Sequence, residues 1–256
     1  MGLSSSSYQV LGVRVDAVQI PEVCARVEEW IQHHDYCRYV VVAGMHGIME
    51  AQRDPTLKSI LHDADLVVPD GMPLVWLSRL RGRPLSRRVY GPELMLEVCR
   101  QTASGNCRHF LVGGAPGVAN RLGTVLKHRF PGLVISGICS PPFQPSTEAQ
   151  EEELVAMINR AAPDIVWVGL STPKQEQWMH RNRHRLKAAV VLGVGAAFDI
   201  HSGTRNQAPR WMRENGLEWL FRLFQEPRRL WRRYLIYGPQ FLFYIALEVL
   251  KLRTFE

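Results

Sequence analysis

The chain has 256 residues, 46% hydrophobic and 21% charged, which is ample for a packed core and excludes a wholly disordered chain. Its five cysteines are odd in number and include no Cys-x-x-Cys pair, which argues against a disulfide framework or a zinc site and for reduced thiols in the cytoplasm. The net charge of +7 is uneven: residues 205–256 carry ten basic against five acidic side chains and 11 of the 23 aromatic residues, which suits an anionic surface of phospholipid, nucleic acid or an acidic partner.

The N-terminus, MGLSSSSYQV, lacks the basic and apolar regions of a signal peptide. Residues 1–6 fit the Met-Gly-x-x-x-Ser pattern for myristoylation, but a polar leader accounts for them more simply. Strands are predicted over residues 9–15, 38–43, 66–69, 109–112, 133–138, 165–169 and 188–193, several of them Val/Ile/Leu runs suited to burial on both faces. Helices are predicted between them, over 23–33, 47–54, 56–62, 73–80, 92–103, 118–129, 148–161 and 175–183. This alternation predicts an α/β fold with an open, Rossmann-like, mostly parallel sheet over residues 1–200. Residues 201–256 read as a helical appendage, membrane-docking or packed on the core, with helices over 217–224, 227–237 and 240–252, the last two separated at Gly238-Pro239. The apolar stretch 235–250 is short, holds Gly238, Pro239 and Glu248, and falls below the roughly 20 residues of a spanning helix.

Ligands of open α/β sheets bind at the carboxyl ends of the strands, so the residues after each strand carry the functional reading. Asp70, in Pro69-Asp70-Gly71-Met72-Pro73, sits on a tight turn and can serve as a general base if burial raises its pKa; an N-cap is the ordinary use of such an aspartate. His46 follows the preceding strand and can orient a hydroxyl or phosphate, or simply pack. In Gly113-Gly114-Ala115-Pro116-Gly117 the glycines allow backbone amides to approach a phosphate. Gly169, Lys174 and Gln175 after the sixth strand, and Gly195 and Asp199 after the seventh, are further candidates to hold phosphate or sugar; ordinary loop packing is the alternative for both groups. Neither Gly-x-Gly-x-x-Gly nor a Walker A loop occurs, which argues against a dehydrogenase or P-loop enzyme. Asp63-Ala64-Asp65 imitates the Asp-x-Asp metal motif of sugar transferases but precedes its strand, so it is expected at the wrong edge of the sheet.

Taken in order, ADLVVPDGMP (64–73), RVYGPELM (88–95), LVGGAPGVA (111–119), VGLSTPKQEQWM (168–179), GVGAAFDIHSG (193–203), APRWMRENGLEWLFRL (208–223) and EPRRLWRRY (226–234) resemble the WecG/TagA/CpsF glycosyltransferases. The resemblance implies an inverting transferase that uses a UDP-sugar and an undecaprenyl-diphosphate-linked saccharide at the cytoplasmic face of the bacterial inner membrane. It implies Asp70 as the catalytic aspartate and an appendage that docks on the membrane and completes the site. Where the family often has Thr-x-Asn, this chain has Gly44-Met45-His46, and Gly91-Pro92-Glu93 stands for the family's Gly-Ser-Asp. Both changes bear on sugar specificity, which leaves hexose and N-acetylhexosamine donors open.

The expected site therefore has Asp70 and His46 at the reaction, with Arg88, Gly113, Gly114, Pro116, Gly169, Lys174, Gln175, Gly195 and Asp199 toward the donor. Arg228, Arg229, Arg232 and Arg233 are expected at the acceptor diphosphate and an anionic membrane surface, because guanidinium forks match phosphate oxygens. No metal or other cofactor is expected, nor nucleic acid as a partner; apolar helices at the sheet edges leave room for a homo-oligomer. The competing readings are another nucleotide-binding α/β enzyme and a basic nucleic-acid-binding module.

Overall fold

The computed structural model describes residues 6–141 and 147–255. Most of the myristoylation-like pattern at residues 1–6 lies outside them. The chain begins not with one strand over 9–15 but with a hairpin, β1 (Ser7–Val10) and β2 (Val13–Asp16). Leu11 and Gly12 form its turn, both at positive φ (51° and 73°). Two-residue turns of this type are usually marked by Asn-Gly or Asp-Gly. A fully buried leucine takes the first position here, so the alternating apolar pattern runs through the turn unmarked.

After α1 (Ile20–Gln32) come β3 (Arg38–Ala43), α2 (Met45–Ala51), α3 (Pro55–His62), β4 (Leu66–Pro69), α4 (Met72–Leu80) and α5 (Gly91–Thr102). Then follow β5 (Arg108–Gly113), α6 (Val118–Arg129), β6 (Val134–Cys139), α7 (Glu148–Ala161), β7 (Ile165–Gly169), α8 (Lys174–Asn182), β8 (Val190–Gly193) and α9 (Ala197–His201). Six strands form one parallel sheet in the order β4-β3-β8-β7-β5-β6. Apolar side chains fill both faces: Val41, Val67, Val112, Val168 and Val191 on one, Val40, Val68, Leu111, Trp167 and Leu192 on the other. This is the open, parallel α/β architecture predicted.

The exposed edge of β4 is covered by the hairpin. Val67 N–H donates to the buried Asp16 Oδ2 at 2.8 Å, and an Arg14 guanidinium nitrogen reaches Ala64 O at 2.6 Å. A sheet edge closed by side chains offers no template for a further strand. The connections reverse direction between β5, which leads outward to β6, and β7, which leads back to β8. Gly113 and Gly169 lie in register there, and Gly114 N–H donates to Gly169 O at 3.1 Å. A Cβ on Gly113 would stand 2.5 Å from Gly169 O, and its φ of 127° disfavours any side chain.

The tail comprises α10 (Arg210–Glu214), α11 (Glu218–Gln225), α12 (Pro227–Trp231), a π-helical turn (Arg232–Ile236) and α13 (Tyr237–Val249). α9 and α10, five residues each, are too short to carry a readable periodicity. The helix runs on through Gly238-Pro239 rather than breaking there. Proline lacks an N–H and crowds the carbonyl four residues back. The π register just upstream, in which Tyr237 N–H donates to Arg232 O, accommodates it. Leu230 and Phe241 are buried, and Phe241 joins the core of the face that carries the hairpin. Among the described residues no helix is long and apolar enough to cross a membrane.

Gly113→Ala should cost about 2 kcal/mol or more of stability, since it adds a clash to a strained φ. Urea unfolding of the two proteins measures this; an unchanged midpoint would contradict the close approach of β5 and β7.

Candidate active site

The backbone fixes the reacting end first. Asp70 N–H donates to Ala43 O at 2.8 Å, which pins the loop after β4 to the end of β3. Val89 N–H donates to Pro69 O at 2.8 Å, so residues 88–90 run alongside β4 and deliver Arg88 to Asp70. An Arg88 guanidinium nitrogen lies 3.6 Å from Asp70 Oδ1. The same guanidinium is ion-paired to Glu218 of α11 and lies 4.1 Å from the centre of the Tyr90 ring. Tyr90 O–H donates to the other Glu218 oxygen at 3.1 Å. Glu218, 8% exposed, thereby ties the tail to the sheet rim.

Burial pushes the Asp70 carboxyl up to about 6, with Glu218 adding to the rise and Arg88, Arg222 and Arg233 opposing it. Its side chain keeps 30% of its surface, so it lies deep among protein groups and still in reach of solvent. Asp70 Oδ1 has no hydrogen-bond partner among the described residues. Burial opposes the charge on Arg222, but Tyr234 and Glu218 outweigh it and hold its pKa above the ordinary value. For Arg233 burial wins and the pKa is lowered. Three guanidiniums thus face two carboxylates, which leaves positive charge for an anionic ligand.

His46, at the start of α2, stacks on Tyr237 of α13 with ring centres 5.9 Å apart. Burial, then Arg233 and Arg222, lower its pKa to about 3, so it is a neutral ring at physiological pH. Arg53 holds the other side of the contact, donating to Tyr237 Oη at 2.6 Å. His46 therefore meets the tail as well as the rim.

The remaining candidates spread along the rim. Neighbouring strands lie about 4.8 Å apart, which puts the β8 turn about 10 Å from Asp70 and the β5 turn with Gly113, Gly114 and Pro116 about 19 Å away. Of the two glycine-rich turns, the one at Gly195 is thus nearer the carboxylate. Gly169 and Gly193 have packing reasons to be small: a Cβ would stand 2.6 Å from the Phe198 ring and 2.8 Å from Met179 Cε. Gln175 is buried beside the β8 turn, next to Lys174 at the start of α8. Asp199 pairs with Arg205 at 3.1 Å, and Arg205 reaches Glu226 of the tail at 3.3 Å.

The four tail arginines separate. Arg233 turns inward to Asp70, whereas Arg228, Arg229 and Arg232 are exposed. Arg229 pairs with Glu226 at 2.5 Å, and Arg232 lies over Trp231. Glu218, Arg222 and Tyr90 were missed as site residues. Their sequence signals are the motifs that hold them, RVYGPELM (88–95) and APRWMRENGLEWLFRL (208–223), and the i, i+4 spacing of Glu218 and Arg222 on a helix otherwise rich in apolar residues. Asp65, at the amino end of β4, accepts from Tyr39 N–H at 2.9 Å and pairs with Arg183 at 3.0 Å, far from this rim. A recess of about 510 Å³ opens beyond Arg88, between Gln19–Pro21 and the α5 stripe of Glu93, Leu96, Glu97 and Arg100; Asp70 does not line it.

Residues 8–254 match the model of the family described as Glycosyl transferase WecG/TagA/CpsF family. A relative from Bacillus spizizenii (strain ATCC 23059 / NRRL B-14472 / W23), named N-acetylglucosaminyldiphosphoundecaprenol N-acetyl-beta-D-mannosaminyltransferase, is 33% identical over 77% of this chain and 74% of its own. A relative of the same name from Bacillus subtilis (strain 168) is 32% identical over 72% of this chain and 70% of its own. Another, from Staphylococcus aureus (strain MW2), is 24% identical over 95% of this chain and 93% of its own. The match spans the sheet, the Asp70 turn and the tail that closes on it, and the chain belongs to the WecG/TagA/CpsF family and is a glycosyltransferase.

Proposed function

We propose that the chain is an inverting transferase that moves a hexose or N-acetylhexosamine from a UDP-sugar to a saccharide linked to undecaprenyl diphosphate. The observation that carries this is Asp70, a carboxylate of raised pKa at the rim, faced by Arg88, Arg222 and Arg233. An acceptor hydroxyl oxygen attacks the anomeric carbon as Asp70 takes its proton. The bond from that carbon to the diphosphate oxygen breaks, UDP leaves with the electron pair, and attack from the opposite face inverts the configuration. The arginines balance the charge gathering on the leaving diphosphate, so the proposal includes no metal and no other cofactor. A donor laid along the rim has its sugar between the β4 and β8 turns and its nucleotide toward the β7 and β5 turns. The relatives' name supports the acceptor class, since it joins N-acetylglucosamine to diphosphoundecaprenol.

The acceptor's lipid explains the outer surface of the tail. Leu242, Phe243, Leu250 and Leu252 are exposed, as are Trp76 and Leu80 on α4 and the arginines at 228, 229 and 232. We place this surface on an anionic membrane, peripherally and at the cytoplasmic face. The work of synthesis is then cell-surface polysaccharide: exopolysaccharide, capsule or teichoic acid. Family membership favours a transferase over a non-catalytic nucleic-acid-binding module.

Asp70→Asn should lower kcat by roughly 100- to 10,000-fold while UDP binding stays within a few fold, as read by UDP release and calorimetry. Turnover close to wild type would take Asp70 out of its role. Because the base must be ionised, kcat/KM of the wild type should fall as pH drops through about 6. That acid limb should be missing from the residual activity of Asp70→Asn.

Replacing Arg228, Arg229 and Arg232 together by glutamine should weaken binding to anionic vesicles by about 3 kcal/mol, roughly 150-fold, at about 1 kcal/mol per residue. Co-sedimentation measures it, and unaltered binding would rule out docking by this surface. His46→Asn, which restores the family's residue, should change the relative KM values of a UDP-sugar panel; identical preferences would show that the ring does not select the donor.

A further inference from the structure

Behind the rim, outside the charge cluster, lies a second polar group with open valences. Glu176, on the first turn of α8, is 1% exposed, and its neighbour Gln175 is 3% exposed. Glu176 Oε1 accepts from Thr172 Oγ1 and from Gln175 Nε2, both at 2.9 Å. Glu176 Oε2 and Gln175 Oε1 are both without a hydrogen-bond partner among the described residues. A buried polar atom left unpaired is costly, so such a pair calls for an explanation.

The geometry around them is specific. A Cβ on Gly195 would stand 3.6 Å from Gln175 Oε1, and one on Gly193 would stand 3.1 Å from Gln175 Nε2. The Gln175 amide therefore lies over the β8 turn, and glycine at 193 makes room for it. Thr172, the other group held by Glu176, has its methyl group toward Gly47 of α2, 3.8 Å from where a Cβ would be. One carboxyl group thus joins the β7 turn to the amide that covers the β8 turn, roughly two strand spacings from Asp70. Burial raises its pKa, against hydrogen bonds from Gln175, its own backbone and Thr172. One oxygen of the carboxyl group accepts twice.

We infer that Glu176 is a positioning residue, which clamps Gln175 so that its amide oxygen faces the β8 turn and accepts an N–H or O–H from the sugar donor. This rests on the proposed use of a UDP-sugar. Without the clamp the amide is free to rotate and present its NH₂ instead, which repels the same donor group. Donor affinity is then what changes, and the chemical step at Asp70 is spared.

The test compares Glu176→Gln and Glu176→Met by UDP-sugar kinetics, with donor binding measured calorimetrically and folding followed by thermal unfolding. Glu176→Gln keeps a neutral carbonyl oxygen for both hydrogen bonds and should stay within about threefold of wild type in KM. Glu176→Met should raise the KM and Kd for the donor about tenfold or more with kcat within about threefold. Adding Gln175→Ala to Glu176→Met should then bring little further loss, since both act through one amide. Equal donor binding by wild type and Glu176→Met overturns the assignment alone, as does a loss confined to kcat or fully additive losses in the double variant. A wild type that binds no UDP-sugar overturns the proposed function and this assignment together, because Gln175 then has no donor to meet.

Discussion

The contact between Arg88 and two carboxylates, Asp70 on the sheet rim and Glu218 on the tail, is the constraint on which the site depends. Burying charges is expensive, and removing one partner leaves the others exposed to that cost. Here the cost has a chemical use. Glu218 anchors Arg88 firmly, while Asp70, at 3.6 Å, is held more loosely and by burial keeps a proton affinity above that of an ordinary carboxylate. A tighter pair with Arg88 would lower the Asp70 pKa and weaken it as a base. The second carboxylate therefore takes up the guanidinium and protects the basicity of the first.

The same contact decides what the tail is. It is not a separate body strapped to the rim by one bond: Phe241 enters the core, Tyr237 is held between His46 and Arg53, and Arg205 bridges Asp199 to Glu226. These contacts join an inner face of the tail to the core, to both ends of α2 and to α9. Its outer face keeps Leu242, Phe243, Leu250 and Leu252 in solvent. The division explains why aromatic and basic residues are dense in this fifth of the chain. One set finishes a site and the other is left over for a surface.

Much of the fold was legible because a parallel sheet writes itself in apolar runs. Residues 38–43, 66–69 and 165–169 are strands as predicted, and their carboxyl ends point to the rim. Asp70 was legible because a carboxylate followed by Gly71 and Pro73 marks a strand-to-helix turn. The hairpin was not, since its turn rests on a buried leucine rather than a polar signal. Nor was Glu218, whose partners Arg88 and Tyr90 are more than 100 residues away in sequence and meet it only through tertiary packing. The tail arginines read as one cluster, but the π turn at 232–236 resets the helix face, and Arg233 alone goes inward.

The order of the strands also limits how a donor can lie. Asp70 stands at one edge strand, and the Gly113–Gly169 approach lies on the far side of β8. No ligand atom can touch both, so the glycine-rich turns cannot all hold one diphosphate. Of the two glycine-rich turns, the one nearer the carboxylate is that of β8, beneath Gln175, whose amide oxygen is buried without a hydrogen-bond partner among the described residues. The charge cluster and this neutral amide then divide the task between them. Arginines attract any diphosphate, whereas an oriented amide oxygen responds to whether the sugar offers it an N–H or O–H. Under the proposed function, discrimination among donors belongs to the neutral part of the rim, at His46 and Gln175, and leaving-group stabilisation to the guanidiniums beside Asp70.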